Sequence, residues 1–114
     1  MKAIIEDLAR ECLTEIYYYN SYNSLNNAIN IDKKITSYIY YLKNNPYLGR
    51  IVPEIADERF RELIYRKSRR DGYRIVYFVS EMTDTIHILY VANCKQDFNR
   101  ILKLHNYFNN FLKF

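Results

Sequence analysis

Residues 60–97 read FRELIYRKSRRDGYRIVYFVSEMTDTIHILYVANCKQD, and the fold turns on how this stretch divides. Residues 73–79 (YRIVYFV) and 85–91 (TIHILYV) are runs of β-branched and aromatic side chains, which suit a pleated, half-buried surface. The polar break SEMTD between them has the length that joins antiparallel strands in a hairpin. Upstream, RKSRRDG holds no apolar side chain and ends in one of the chain's two glycines. It predicts a second hairpin loop, entered by a strand over residues 60–65.

Charge marks the same region. Between Arg59 and Arg74 seven basic residues (Arg59, Arg61, Arg66, Lys67, Arg69, Arg70, Arg74) face two acids (Glu62, Asp71), a net of +5 in a chain whose total is +4. The remainder is close to neutral. A basic block on a hairpin suits phosphate or an acidic partner, because Lys and Arg release counterions from a nucleic acid or pair with carboxylates. The same block also serves solubility on a solvated loop, and composition leaves both readings open.

Working outward from the strands, residues 1–5 (MKAII) suggest a short first strand. From Asp7 the period changes. Leu8, Cys12, Ile16 and Tyr19 recur at helical spacing with Glu6, Arg10, Glu11 and Glu15 between them, which predicts an amphipathic helix to about Tyr22 with Asp7 as its cap. NSYNSLNN is a polar bend. A second helix then carries Ala28, Ile31, Ile35, Ile39 and Leu42 along one stripe until Asn44, Asn45 and Pro46 stop it. The two helices form an antiparallel hairpin that needs a sheet to cover its apolar stripe. NPYLGRIVPEIADE shows no period and reads as an ordered loop, with Gly49 available for a positive φ and Pro53 keeping Val52 extended.

After the sheet, Phe98, Ile101, Leu102, His105, Phe108 and Leu112 return to helical spacing, with Asp97 as a cap. This third helix carries more large apolar side chains than one face against a small sheet requires. The expected fold is therefore α+β: an N-terminal helical hairpin packed on a small antiparallel β-sheet of three or four strands, with residues 73–79 central and a C-terminal helix added. At 114 residues the chain is expected to make a single domain, residues 1–114.

Cys12 and Cys94 lie far apart and belong to no CxxC or Cys/His ligand spacing, so neither a metal nor a cofactor is expected and the thiols read as reduced. No apolar run reaches membrane-spanning length, and a soluble, cytoplasmic protein with no membrane partner is expected. The 13 tyrosines, in a chain rich in Asn, Ile and Lys, need no common function; their amphipathic rings suit the rim between core and water.

Taken together, NPYLGRIVPE, FRELIY, GYRIVYFV and IHILYVANCKQDF resemble the RelE/ParE superfamily of bacterial toxins, and the order of a short strand, a helical hairpin and an antiparallel sheet agrees with it. The resemblance implies a toxin of a type II toxin–antitoxin system, bound and neutralised by a cognate antitoxin, as a homodimer or a toxin–antitoxin hetero-oligomer. It implies two alternative activities. ParE-like members poison DNA gyrase, whereas RelE-like members are endoribonucleases that cut messenger RNA on the ribosome. A third possibility is a degenerate, non-toxic antitoxin-binding protein. Fold alone does not separate them.

An RNA-cleaving site needs a base for the ribose 2′-OH, cations for the developing charge and an acid for the leaving oxygen. On the RelE-like reading Lys67, Arg69, Arg74 and Lys95 (or Gln96) match the family's basic residues, but the late tyrosine is absent where Asn99 to Leu102 stand, and Tyr107 comes later. Where ParE-like members often carry His-Gly-x-Arg-Asp, this chain has Asn93, Cys94, Lys95, Gln96 and Asp97. The GRIVPE block, the RELIY spacing and the missing acid favour the ParE-like branch. On either branch the target is expected to meet Arg66, Lys67, Arg69, Arg70 and Arg74, and the antitoxin to meet Phe98, Ile101, Leu104, Phe108 and Phe111. Arg74, alone in an apolar strand, must find a partner: a phosphate, or Glu62 or Asp97 in a structural ion pair. His87 is expected on a half-exposed strand face, and Cys94 as an inert thiol.

Overall fold

The computed structural model describes residues 1–69, 71–94, 103 and 106. In chain order the elements are β1 (Lys2–Ile5), α1 (Asp7–Ser21), α2 (Leu25–Leu42), β2 (Arg50–Ile51), β3 (Phe60–Arg66), β4 (Gly72–Ser80) and β5 (Thr85–Asn93). The strands form one five-stranded sheet in the order β1-β5-β4-β3-β2. The hairpins β3–β4 and β4–β5 lie where composition places them, and β4 is the central strand. Every residue of Gly72–Val79 is buried, because β4 is covered on both faces.

The sheet departs from the expected one in two respects. It is mixed, not purely antiparallel: β1 runs parallel to β5, with Lys2 opposite Thr85 and Ile5 opposite Ile88. It also has five strands, because Arg50 and Ile51, expected in a loop, pair antiparallel with Glu62 and Arg61. Two residues are too few to show a period. Between Val76 and Tyr77 the β4–β5 register shifts, since Val76 faces Tyr90 while Tyr77 faces Ile88, leaving Leu89 as the extra residue of a bulge.

The helical stripe behaves as its spacing requires. Ala28, Ile31, Ile35, Ile39 and Leu42 are all buried, each of the larger four contributing about 1.5–3 kcal/mol of apolar burial. The Ser24 side chain caps α2 by accepting the Asn27 N–H (3.2 Å). On α1, Ala9 and Cys12 are buried and Leu8 and Ile16 pack against the core, but Tyr19 is 73% exposed and leaves the stripe. Nor does Asp7 cap α1. It is the first helical residue, Glu6 holds the cap position without a side-chain cap bond, and the Glu6 carboxylate is drawn instead to His87 Nδ1, 2.8 Å away on β5.

Asn20, buried at the end of α1, ties helix to sheet: its Nδ2 donates to the Ile16 carbonyl (2.8 Å) and to the Tyr73 hydroxyl (3.1 Å). Gly49 is needed for close approach and not for a positive φ, which no glycine here adopts. Its N–H donates to the Tyr77 hydroxyl (2.9 Å). A Cβ there would lie 2.5 Å from the Glu62 carbonyl oxygen and 2.7 Å from that hydroxyl. The expected third helix, with Asp97, Phe98, Ile101, Leu102, Leu104, His105, Phe108, Phe111 and Leu112, lies outside the described residues.

Candidate functional site

The β3–β4 loop closes on itself through two bonds, as the Lys67 and Ser68 N–H groups both donate to the Asp71 carbonyl (2.9 and 3.0 Å). Its base is fixed to β5 by Cys94 N–H to the Gly72 carbonyl (2.9 Å) and by Asn93 Nδ2 to the Asp71 carboxylate (3.3 Å). Arg66, Lys67 and Arg69 are exposed on this anchored turn. Arg70 lies outside the described residues, as does Lys95.

The remaining cations of the basic stretch are engaged within the fold. Arg59 pairs with Asp57 (2.8 Å) and lies over the Phe78 ring at 5.5 Å. Arg61 donates to the Glu58 and Gly49 carbonyls (3.1 Å each) and covers the Tyr47 ring at 4.8 Å. Arg74 is buried. Its Nη atoms grip the Glu54 carboxylate in a fork at 2.8 and 2.9 Å while its Nε donates to Glu62. The other Glu62 oxygen accepts from Arg50 Nε (2.7 Å). Burial opposes the charge on Arg74, but the bonds to Glu54 and Glu62 outweigh it and hold the guanidinium's pKa above its ordinary value. The Arg74 fork in turn holds the Glu54 carboxyl below the usual carboxylate range.

The structure thus pairs Arg74 with Glu62, one of the two acids that sequence suggested, and adds Glu54, which sequence reasoning did not name. Asp97 lies outside the described residues. This alternating chain, Arg50–Glu62–Arg74–Glu54, fastens the segment after β2 to the centre of the sheet. Charged groups taken from water in this way are tolerable only when mutually paired and hydrogen-bonded.

His87 is largely buried and committed to Glu6, with its ring 6.2 Å from that of Phe78. Cys94 is half-buried, and burial pushes its thiol pKa up despite the nearby Arg66 and Arg74 charges, which matches an inert thiol. Among the described residues no group of three or more His, Cys, Asp or Glu is placed to hold a metal. Likewise no described helix is long and apolar enough to cross a membrane.

A cleft of 420 Å³ opens between α1 and the ends of β4 and β5. Leu8, Cys12, Ile16 and Val91 contribute its apolar wall, while Glu11 and Glu15 stand on α1 beside it. Tyr73, which also lines it, follows directly on the basic turn. Sequence reasoning took Leu8, Cys12 and Ile16 as plain helix–sheet contacts. The signal available was the acid pair at i, i+4 next to them.

A family model for the ParE toxin of type II toxin–antitoxin systems, parDE, matches residues 3–98. The chain belongs to the ParE toxin family. The match runs from β1 through β5, so this ParE-family toxin carries its mixed sheet, helical hairpin and basic turn within the family's own span. No protein of curated function matches the chain significantly. Membership implies an antitoxin as partner and agrees with the ParE-like branch that the sequence favoured.

Proposed function

We propose that this ParE-family toxin arrests growth by poisoning DNA gyrase in the cytoplasm, meets its target through the anchored basic turn carrying Arg66, Lys67 and Arg69, and is neutralised by its antitoxin. The observation that carries this reading is the commitment of Arg74. The strand arginine that an RNA-cleaving site would turn towards a scissile phosphate is buried and held by two carboxylates. Among the described residues the exposed cations of the turn have no base–acid pair poised for 2′-OH attack beside them, and His87, the one described histidine, is held by Glu6. Exposed charge without that pair suits binding to an acidic or nucleic-acid-associated target.

Induced expression, a plasmid supercoiling assay and a ribosome-programmed mRNA cleavage assay test the proposal together. Growth arrest with trapped or altered supercoiling and intact message is expected. Message cleavage would assign the ribonuclease activity instead, and absence of arrest would mark a protein kept only for antitoxin binding. Changing Arg66, Lys67 and Arg69 together to Ala should leave folding nearly intact, since exposed charges contribute little to stability, and should abolish arrest. A well-folded, fully toxic triple variant would return the turn to a solubility role.

A further inference from the structure

The cleft beside α1 has an acidic edge in a basic chain. The chain as a whole is basic, at +4, yet α1 carries Asp7, Glu11 and Glu15 against Arg10 alone. The three acids recur every fourth residue and so form one exposed row. Arg10 is turned to the Ile5 carbonyl, to which its Nε donates at 3.1 Å. Among the described residues no cation pairs with Glu11 or Glu15. Directly beside them Leu8, Ile16 and Val91 make an apolar wall in a cavity of 420 Å³, within the roughly 300–1,000 Å³ of concave ligand sites. At the far end of the cleft, Tyr73 adjoins the turn with its exposed cations.

We propose that this cleft receives an antitoxin segment in which apolar anchors alternate with Lys or Arg, the anchors entering between α1 and β5 and the cations resting on Glu11 and Glu15. The inference rests on the reading of the chain as a toxin held by an antitoxin. Charge complementarity selects the occupant: an acidic row bordering an apolar floor rejects an acidic helix and favours a basic amphipathic one. Continuity with the basic turn supplies the means of neutralisation. A segment leaving the cleft past Tyr73 runs onto Arg66, Lys67 and Arg69, and acids at that end of it would cover the cations proposed to meet the target.

The test uses the full chain and the protein encoded by the reading frame adjoining its gene, with affinity measured by calorimetry at low and high salt. Glu11→Lys with Glu15→Lys is expected to weaken binding roughly 10- to 100-fold and to flatten its salt dependence, with circular dichroism unchanged. Asp32→Lys, at an exposed α2 position away from the cleft, should bind as the wild type does. If the double reversal unfolds the chain, Glu11→Gln with Glu15→Gln carries the same test at about tenfold. Tight binding that neither pair alters would overturn the inference and leave the toxin reading standing. Failure of the wild type to bind at all would overturn both. A wild-type dimer that the reversal dissolves, at unchanged antitoxin affinity, would give the cleft to a second copy of the chain and likewise overturn the proposal.

Discussion

Replacing Arg74 by Ala is the sharpest probe of how the sheet is held together. The Arg74 side chain is 5% exposed and that of Glu62 is fully buried. Truncation therefore leaves the Glu62 carboxylate with only Arg50, whose own side chain is 59% exposed and screened by water, and strips the fork from Glu54. Removing one member of a buried pair costs about 3–5 kcal/mol, because the remaining charge keeps its desolvation penalty without the attraction that offset it. Against a total of about 5–15 kcal/mol this is a large fraction, and at about 4 °C per kcal/mol it lowers Tm by about 12–20 °C. Urea unfolding followed by circular dichroism measures it, with m unchanged if the denatured state is unaffected. The control is Glu62→Met combined with Arg74→Met, which removes both charges from the interior and should recover most of the loss. A loss below about 1 kcal/mol in Arg74→Ala, or a double variant no better than the single one, would refute the account of a dry, mutually dependent network.

Three further outcomes follow from named contacts. Because the Arg74 fork depresses the Glu54 carboxyl pKa in the folded chain, the stability this group contributes is complete above its ordinary value of 4.5 and is lost as pH falls through the lower folded value; Glu54→Gln should flatten that part of the acid limb of a urea-midpoint profile. Gly49→Ala forces a Cβ to 2.5 Å from the Glu62 carbonyl oxygen and should cost about 1–3 kcal/mol through displaced backbone, read as a lowered urea midpoint. Ile39→Ala should cost about 2–5 kcal/mol, since Ile39 is only 5% exposed on the stripe that meets the sheet; a loss under about 1 kcal/mol would detach α2 from the core.

What the sequence revealed followed from signals that act locally. The strands over 60–66, 72–80 and 85–93 declare themselves because β-branched and aromatic runs are bounded by polar turns, and the α2 stripe because five apolar residues share one helical face. The features that escaped depend on partners remote in the chain. Parallel pairing of β1 with β5 joins residues more than eighty positions apart, and nothing within residues 2–5 states a direction. Glu6 in place of Asp7 at the start of α1 follows from the backbone leaving β1, and its carboxylate is taken by His87 across the sheet. For Gly49 the conformational argument failed because the constraint was steric: the backbone of β3 and a tyrosine hydroxyl occupy the space of a side chain.

The basic stretch shows why charge summed along a segment overstates the charge available to a partner. Its +5 was counted over strand and turn alike, yet strand residues are aimed by the pleat and by their neighbours, and turn residues are not. Within β3 and β4, Arg61 is drawn to the carbonyls of Glu58 and Gly49 and Arg74 to Glu54 and Glu62. Just before β3, Arg59 is held by Asp57. At the end of β3 and in the turn, where backbone bonds to Asp71 close the loop and leave side chains outside it, Arg66, Lys67 and Arg69 face solvent without such ties. Buried Arg74 makes the sheet sensitive to truncation of a single charge, while the exposed cations of the turn can be altered with little effect on stability. A substitution series across the stretch should therefore set Arg74→Ala, which strips a buried network, apart from changes at Arg66, Lys67 and Arg69, which stay folded but lose function, while Arg59→Ala, at a pair with a half-exposed side chain, costs little stability.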